Sequence, residues 1–179
     1  ELDGAITQTV EAYASLSKSK TGALMVFERK NMLDDAIKTG TALDCSVSAE
    51  LLKNIFWNKA PLHDGAVIVR GGRIVGAGCM LPMSGNVNLS RELGMRHRAG
   101  IGASEHTDAV VAIVSEETGS ISVAVGGMLK RHLAPETLER LLRNELMPEQ
   151  EQTEAPSKFK FMSLFRGGKG EKLNGEKDH

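Results

Sequence analysis

Apolar residues fall at helical spacing near the start of the chain. Leu2, Ile6, Val10 and Tyr13 share one face and predict an amphipathic helix from Leu2 to about Ser17. Thr21 to Phe27 is a short apolar run that opens on Gly22, the pattern of a buried strand. Met32 to Thr39, closed by Gly40, predicts one or two helical turns, and Thr41 to Val47 a short strand. Ser48 has the side chain of an N-cap for a helix over Ala49 to Trp57, with Pro61 beyond its end. The runs Ala66 to Val69 and Arg73 to Met80 are joined by Arg70-Gly71-Gly72, a hairpin pattern in which glycine supplies the positive φ of a tight turn. Pro82 to Asn88 is expected to be a loop. Leu89 to about Ala99 is expected to be a helix released by Gly100 and Gly102. A second hairpin follows, from Ala109–Val114 through a turn at Glu117-Thr118-Gly119 to Ile121–Val125. Pro135 then suits the first turn of a helix to about Leu146.

Helices interleaved with hairpins predict an α/β fold, a single mixed β-sheet flanked by helices on both faces. After Pro148 the composition changes to an acidic stretch, then Lys158-Phe159-Lys160-Phe161 and Gly167-Gly168-Lys169-Gly170. Residues 1–147 are therefore expected to form the domain and 148–179 a disordered polar tail.

At 179 residues, with 41% hydrophobic and 25% charged residues, the chain is long enough for one ordinary core. Aromatic residues are only 4%, which speaks against a base-stacking surface. The balance of 22 Lys+Arg against 23 Asp+Glu gives no bulk attraction to nucleic acid, and none is expected as a partner. The two cysteines, Cys45 and Cys79, form no CxxC unit and are expected to be reduced and buried, in keeping with the cytoplasm. No signal peptide or membrane span is visible. The chain opens on Glu1 rather than Met and is expected to be a piece of a longer protein.

Three features carry candidate chemistry. Pro61-Leu62-His63-Asp64-Gly65-Ala66 precedes a strand, either as a plain turn or as a carboxylate and an imidazole at a strand mouth, hard and borderline metal ligands. Arg96-His97-Arg98 lies on the expected helix. Residues 100° apart cannot all face one way, so these either line a solvated face with Arg96 paired to Glu92, or wrap a triphosphate. Ser115-Glu116-Glu117 ends a strand as an acidic turn or as donors near the other two features.

Together, Leu62-His63-Asp64-Gly65-Ala66, Gly78-Cys79-Met80-Leu81-Pro82, Arg96-His97-Arg98-Ala99 and Val114-Ser115-Glu116-Glu117-Thr118-Gly119 resemble the diadenylate cyclase domain, over roughly Leu2 to Met147. The likeness is greatest to the bacterial class whose cyclase domain follows transmembrane helices. It implies a nucleotidyltransferase that condenses two ATP into the second messenger cyclic di-AMP, releasing two pyrophosphates at a face-to-face homodimer. A non-catalytic ATP- or cyclic di-AMP-binding module on the same fold is the alternative. The resemblance assigns catalysis to Asp64, Gly65, Ala66, Arg96, His97 and Arg98. It assigns ATP binding to Gly65, Met80, Leu81, Met95, Arg96, His97, Arg98, Ser115 and Glu116. His63, Asp64 and Glu117 fall at the metal positions, for Mn²⁺ or Mg²⁺ with Co²⁺ as a further candidate. It also implies a parent anchored in the cell membrane by an upstream segment, a membrane-linked regulator, and phosphoglucosamine mutase as a partner. Met95 stands where the family often has Thr, and a lost charge-assisted hydrogen bond there costs about 1.5–3 kcal/mol. Met80 replaces an aromatic residue often found over the adenine.

Overall fold

The computed structural model describes residues 1–86 and 88–147, and the expected tail at 148–179 lies outside the described residues. In chain order the elements are α1 (Leu2–Lys18), β1 (Ala23–Phe27), α2 (Asp34–Thr39), β2 (Thr41–Ser46), α3 (Ala49–Phe56), β3 (Ala66–Arg70), β4 (Arg73–Cys79), α4 (Met95–His106), β5 (Val110–Val114), β6 (Ile121–Val125), β7 (Met128–Leu133) and α5 (Pro135–Leu146). One seven-stranded sheet runs in the order β2-β4-β3-β1-β5-β6-β7. β1 and β3 are parallel, and the other pairings are antiparallel, so the sheet is mixed as expected.

β1 is buried at every position because both faces of the sheet are covered. Its alternate residues enter two separate cores. Ala23, Met25 and Phe27 pack with Ile6, Tyr13 and Leu16 of α1, Leu52 and Phe56 of α3, and Leu138 and Leu142 of α5. Leu24 and Val26 pack on the other face with Ile101 of α4 and the half-buried Ile37 of α2. The buried Tyr13 hydroxyl donates to the Ala112 carbonyl at 2.6 Å, tying α1 to β5. Ser48 caps α3 as predicted, its hydroxyl accepting from the Leu51 amide at 3.1 Å.

The strand registers place the functional pole. Ala23 pairs with Val114, and Ala66 pairs with Cys79. The N-terminal ends of β1 and β3 therefore lie beside the C-terminal ends of β4 and β5.

Three readings are corrected. The helix expected over Leu89–Ala99 begins instead at Met95 and continues through Gly100 and Gly102 to His106. These glycines are there for close packing. A Cβ on Gly100 would sit 2.8 Å from Ile113 Cδ1, and one on Gly102 would run into the Pro82 carbonyl. Second, β7 has no counterpart in the expected elements. Its Lys130-Arg131-His132 run breaks apolar alternation, and a register shift in its pairing with β6 accompanies His132 at φ 57°. Third, both thiols are free, as expected, but only Cys79 is buried, because Cys45 lies on edge strand β2 and is half-buried.

Candidate active site

Gly65 adopts φ 113°, and a Cβ there would stand 2.8 Å from the Cys79 carbonyl oxygen. The bare backbone is thus pressed against the end of β4. This brings the exposed Asp64 beside the segment that carries Met80 and Leu81. His63 is half-buried, with Nδ1 2.7 Å from the Ala60 carbonyl. A carbonyl only accepts, so Nδ1 is the protonated nitrogen, and in the neutral ring Nε2 keeps its lone pair, the tautomer suited to a metal. Ala66 is fully buried as the first residue of β3 and offers backbone alone.

Arg96, His97 and Arg98 occupy the first turn of α4, whose N-cap is Gly94 with no side-chain cap. Unfilled amides and the positive end of the helix dipole therefore face the same pole. As the 100° step requires, the three side chains diverge. Arg96 Nη1 is 3.0 Å from Glu116 Oε2, while its buried Nε has no hydrogen-bond partner among the described residues. His97 turns inward and is 4% exposed. Burial, then the charges of Arg131 and Arg96, push its pKa down to about 4, so the imidazole is neutral near pH 7. Arg98 Nη2 donates to the Ser90 carbonyl at 3.4 Å, steadying the segment that leads into the helix. The pairing of Arg96 with Glu92 is not found. Glu92 precedes the helix and lies 3.6 Å from Arg131 instead.

Ser115 ends the β5 side of a tight turn. Its amide donates to Ser120 O at 3.0 Å, and its hydroxyl oxygen accepts from the Thr118 amide at 3.3 Å. The hydroxyl proton is then available to an incoming acceptor. Glu116 and Glu117 are exposed. His63, Asp64 and Glu117 do not assemble as a metal set: among the described residues no group of three His, Cys, Asp or Glu side chains could hold an ion. The reason is topological. The first two precede β3 and the third follows β5, with β1 between, a span of two strand spacings or about 10 Å. His63 and Asp64 fit as a partial donor set that needs oxygen atoms from elsewhere.

Burial distinguishes the remaining candidates. Leu81 is 8% exposed and belongs to the core, so a side chain over a base would come from Met80, which is 63% exposed. Met95 is 76% exposed and carries no donor. Sequence reasoning missed Thr39, whose Oγ1 accepts from the Met80 amide at 2.8 Å and fixes the end of β4. It also missed Arg131, which acts on His97 from β7. No local motif marks either residue, since each arrives through long-range pairing.

A family model described as "DisA bacterial checkpoint controller nucleotide-binding" matches residues 10–129. A diadenylate cyclase of Listeria monocytogenes is 44% identical over 156 residues, covering 87% of this chain and 55% of that protein. A cyclic di-AMP synthase of Bacillus subtilis, CdaA, is 47% identical over 142 residues, covering 77% of this chain and 52% of that protein. The chain thus spans about half the length of the curated relatives it matches. A crystal structure of a double cysteine mutant of DacA from Staphylococcus aureus superimposes with a TM-score of 0.79 at 43% identity, covering 81% of this chain and 97% of that one. A structure described as a hypothetical membrane spanning protein from Bacillus cereus gives 0.69 at 44% identity, over 72% of this chain and 63% of that one. The fold is that of an α/β domain whose family is described as nucleotide-binding. The chain belongs to the DAC family.

Proposed function

We propose that residues 1–147 form the catalytic domain of a diadenylate cyclase, which joins two ATP molecules into cyclic di-AMP. The observation that carries this reading is the convergence at one sheet end of Asp64-Gly65, the Arg96 guanidinium with its unpartnered buried Nε, and the Ser115 hydroxyl. The 3′-hydroxyl oxygen of each ATP forms a bond to the α-phosphorus of the other. The α–β phosphoanhydride bond breaks, and pyrophosphate leaves with the electron pair. One protomer presents one such pole, so reciprocal attack needs a second copy facing it across a two-fold axis.

Arg96 and Ser115 would neutralise and orient phosphate oxygens, and the uncapped first turn of α4 adds backbone donors. His97, neutral and enclosed, would hold that turn rather than supply charge. Arg98 would fix the preceding loop. Met80 would cover the base while the backbone at Leu81 reads it. Asp64 would take the 3′-hydroxyl proton, with Gly65 and Ala66 giving the ribose room. A bound Mn²⁺, Mg²⁺ or Co²⁺ would lower the pKa of that hydroxyl. Its protein donors would be His63 Nε2 and Asp64, with the missing ligands coming from the triphosphate. The likeness to a protein described as membrane spanning supports an anchored parent, although no helix of the described residues is long and apolar enough to cross a membrane. A membrane-linked regulator and phosphoglucosamine mutase are partners to test by co-purification.

The test is incubation with ATP and Mn²⁺ or Mg²⁺, with chromatographic separation of nucleotides. Cyclic di-AMP is expected from the wild type and none from Asp64→Asn, at an unchanged melting temperature. Near-wild-type turnover in the variant would remove Asp64 from the mechanism. The donorless, exposed Met95 favours a second reading, a nucleotide-binding module without turnover. ATP binding by calorimetry with no product at any metal or protein concentration would select it.

A further inference from the structure

Gly22 precedes β1 and is buried. Its φ lies outside the left-handed region that favours glycine, so backbone conformation gives no reason for a residue without a side chain. Space does. A Cβ built on Gly22 would stand 2.5 Å from both Cζ and Nη1 of Arg96 and 2.9 Å from its Nε, and these are its three nearest neighbours. The guanidinium therefore rests on the bare Cα of Gly22, with Glu116 3.0 Å from Nη1.

We propose that Gly22 is a positioning residue, the cradle that lets Arg96 lie at the sheet end where it can meet phosphate. This rests on the reading of Arg96 as a phosphate ligand. The cradle differs in kind from three other tight glycines of the fold. At Gly40, Gly65 and Gly72 a Cβ would meet backbone atoms of Ala77, Cys79 and Leu2, which cannot give way without moving the fold. At Gly22 it would meet the far end of a flexible side chain. A methyl group needs about 3.5–4 Å from other heavy atoms, so alanine would push the guanidinium off by roughly 1 Å. The fold tolerates that shift because Arg96 can swing outward. A site that depends on the position of a fixed cation does not, since a misplacement of about 1 Å can cost on the order of a hundredfold.

The experiment compares the wild type, Gly22→Ala, Arg96→Met and the double variant by melting temperature and by calorimetric titration with ATP. Gly22→Ala is expected to melt within a few degrees of the wild type and to bind ATP about tenfold or more weakly. Adding Gly22→Ala to Arg96→Met should weaken binding less than about twofold further, because the group it displaces is already gone. Wild-type affinity in Gly22→Ala, fully additive losses in the double variant, or loss of the fold would each overturn the proposal. The placement is also read without nucleotide, by solvent exchange of the Arg96 Nε–H in NMR. Exchange should be about tenfold or more faster in Gly22→Ala than in the wild type. An unchanged rate refutes the cradle. If the wild type fails to bind ATP while this exchange still responds, the fault lies with the nucleotide reading and the cradle stands.

Discussion

Acidification should destabilise this domain through His97. The ring is 4% exposed, and its pKa is pushed from the ordinary 6.5 to about 4, first by burial, then by Arg131 and Arg96. Between these values the unfolded chain binds a proton that the folded chain refuses. Stability is therefore complete above pH 6.5, falls as pH drops below it, and stops falling near pH 4. At pH 4.5 most of that window has been crossed, and the loss is about 2.5 kcal/mol, a large share of the 5–15 kcal/mol typical of a domain. The assay is urea unfolding from pH 7.5 to 4.5 for the wild type and for His97→Gln, which keeps a polar side chain with no titrating proton. Carboxylates elsewhere act on both proteins and cancel in the difference. The wild type should lose about 2.5 kcal/mol more than the variant across this range. Parallel pH curves, or an imidazole seen by NMR to titrate near its ordinary value, would refute the reasoning.

Glu28→Gln should cost about 2–3 kcal/mol, read as a lower urea midpoint at unchanged slope, because a carboxylate 1% exposed holds Arg70 at 2.6 Å and the Leu33 amide at 2.8 Å. The partial exposure of Arg70 and its second partner Asp34 keep that figure below the loss for a fully buried pair. Ser48→Ala should lower stability by about 1 kcal/mol, seen in the same unfolding assay, through loss of the α3 cap. Chelation with EDTA should abolish cyclic di-AMP formation while leaving the thermal melt unchanged, since no three-ligand cluster among the described residues makes an ion part of the fold. A fall in melting temperature on chelation would contradict that.

Elements with one strong local signal are legible in the sequence. The serine cap of α3 and the Gly71-Gly72 hairpin between β3 and β4 are such cases, because capping and positive φ depend on few neighbours. Gly100 and Gly102 mislead for the opposite reason. Their value lies in space against Ile113 and Pro82, which only the assembled fold creates, so propensity counts as a break what packing uses as a contact. β7 is hidden because its outer residues are cationic and its ladder is bulged. At the site, Asp64 and Arg96 are legible as residue types in motifs. The inward turn of His97, the exchange of Glu92 for Glu116 as partner of Arg96, and the separation of His63 from Glu117 follow from strand order and helix phase. Those are set by the whole sheet.

The sheet holds ion pairs of two kinds, and solvated ones such as Arg73 with Asp44 occur at the end away from the site as well. At the end away from the site, Glu28 pairs with Arg70 and Glu145 with Arg29, and each carboxylate side chain is 1% exposed. These acids have left water and hold their partners by direct contact, so losing the arginine leaves a buried carboxylate uncompensated. At the site, Arg96 meets Glu116, which is 66% exposed, and Arg131 meets Glu92, which is 78% exposed. A carboxylate so well solvated binds its arginine weakly, by about 0–1 kcal/mol, and can return to water when a stronger anion arrives. The near-neutral total charge thus combines two kinds of ion pair with different work. One kind is closed and structural. On the proposed reading, the other lets Arg96, 20% exposed, exchange a loose acid for the denser negative charge of a phosphate.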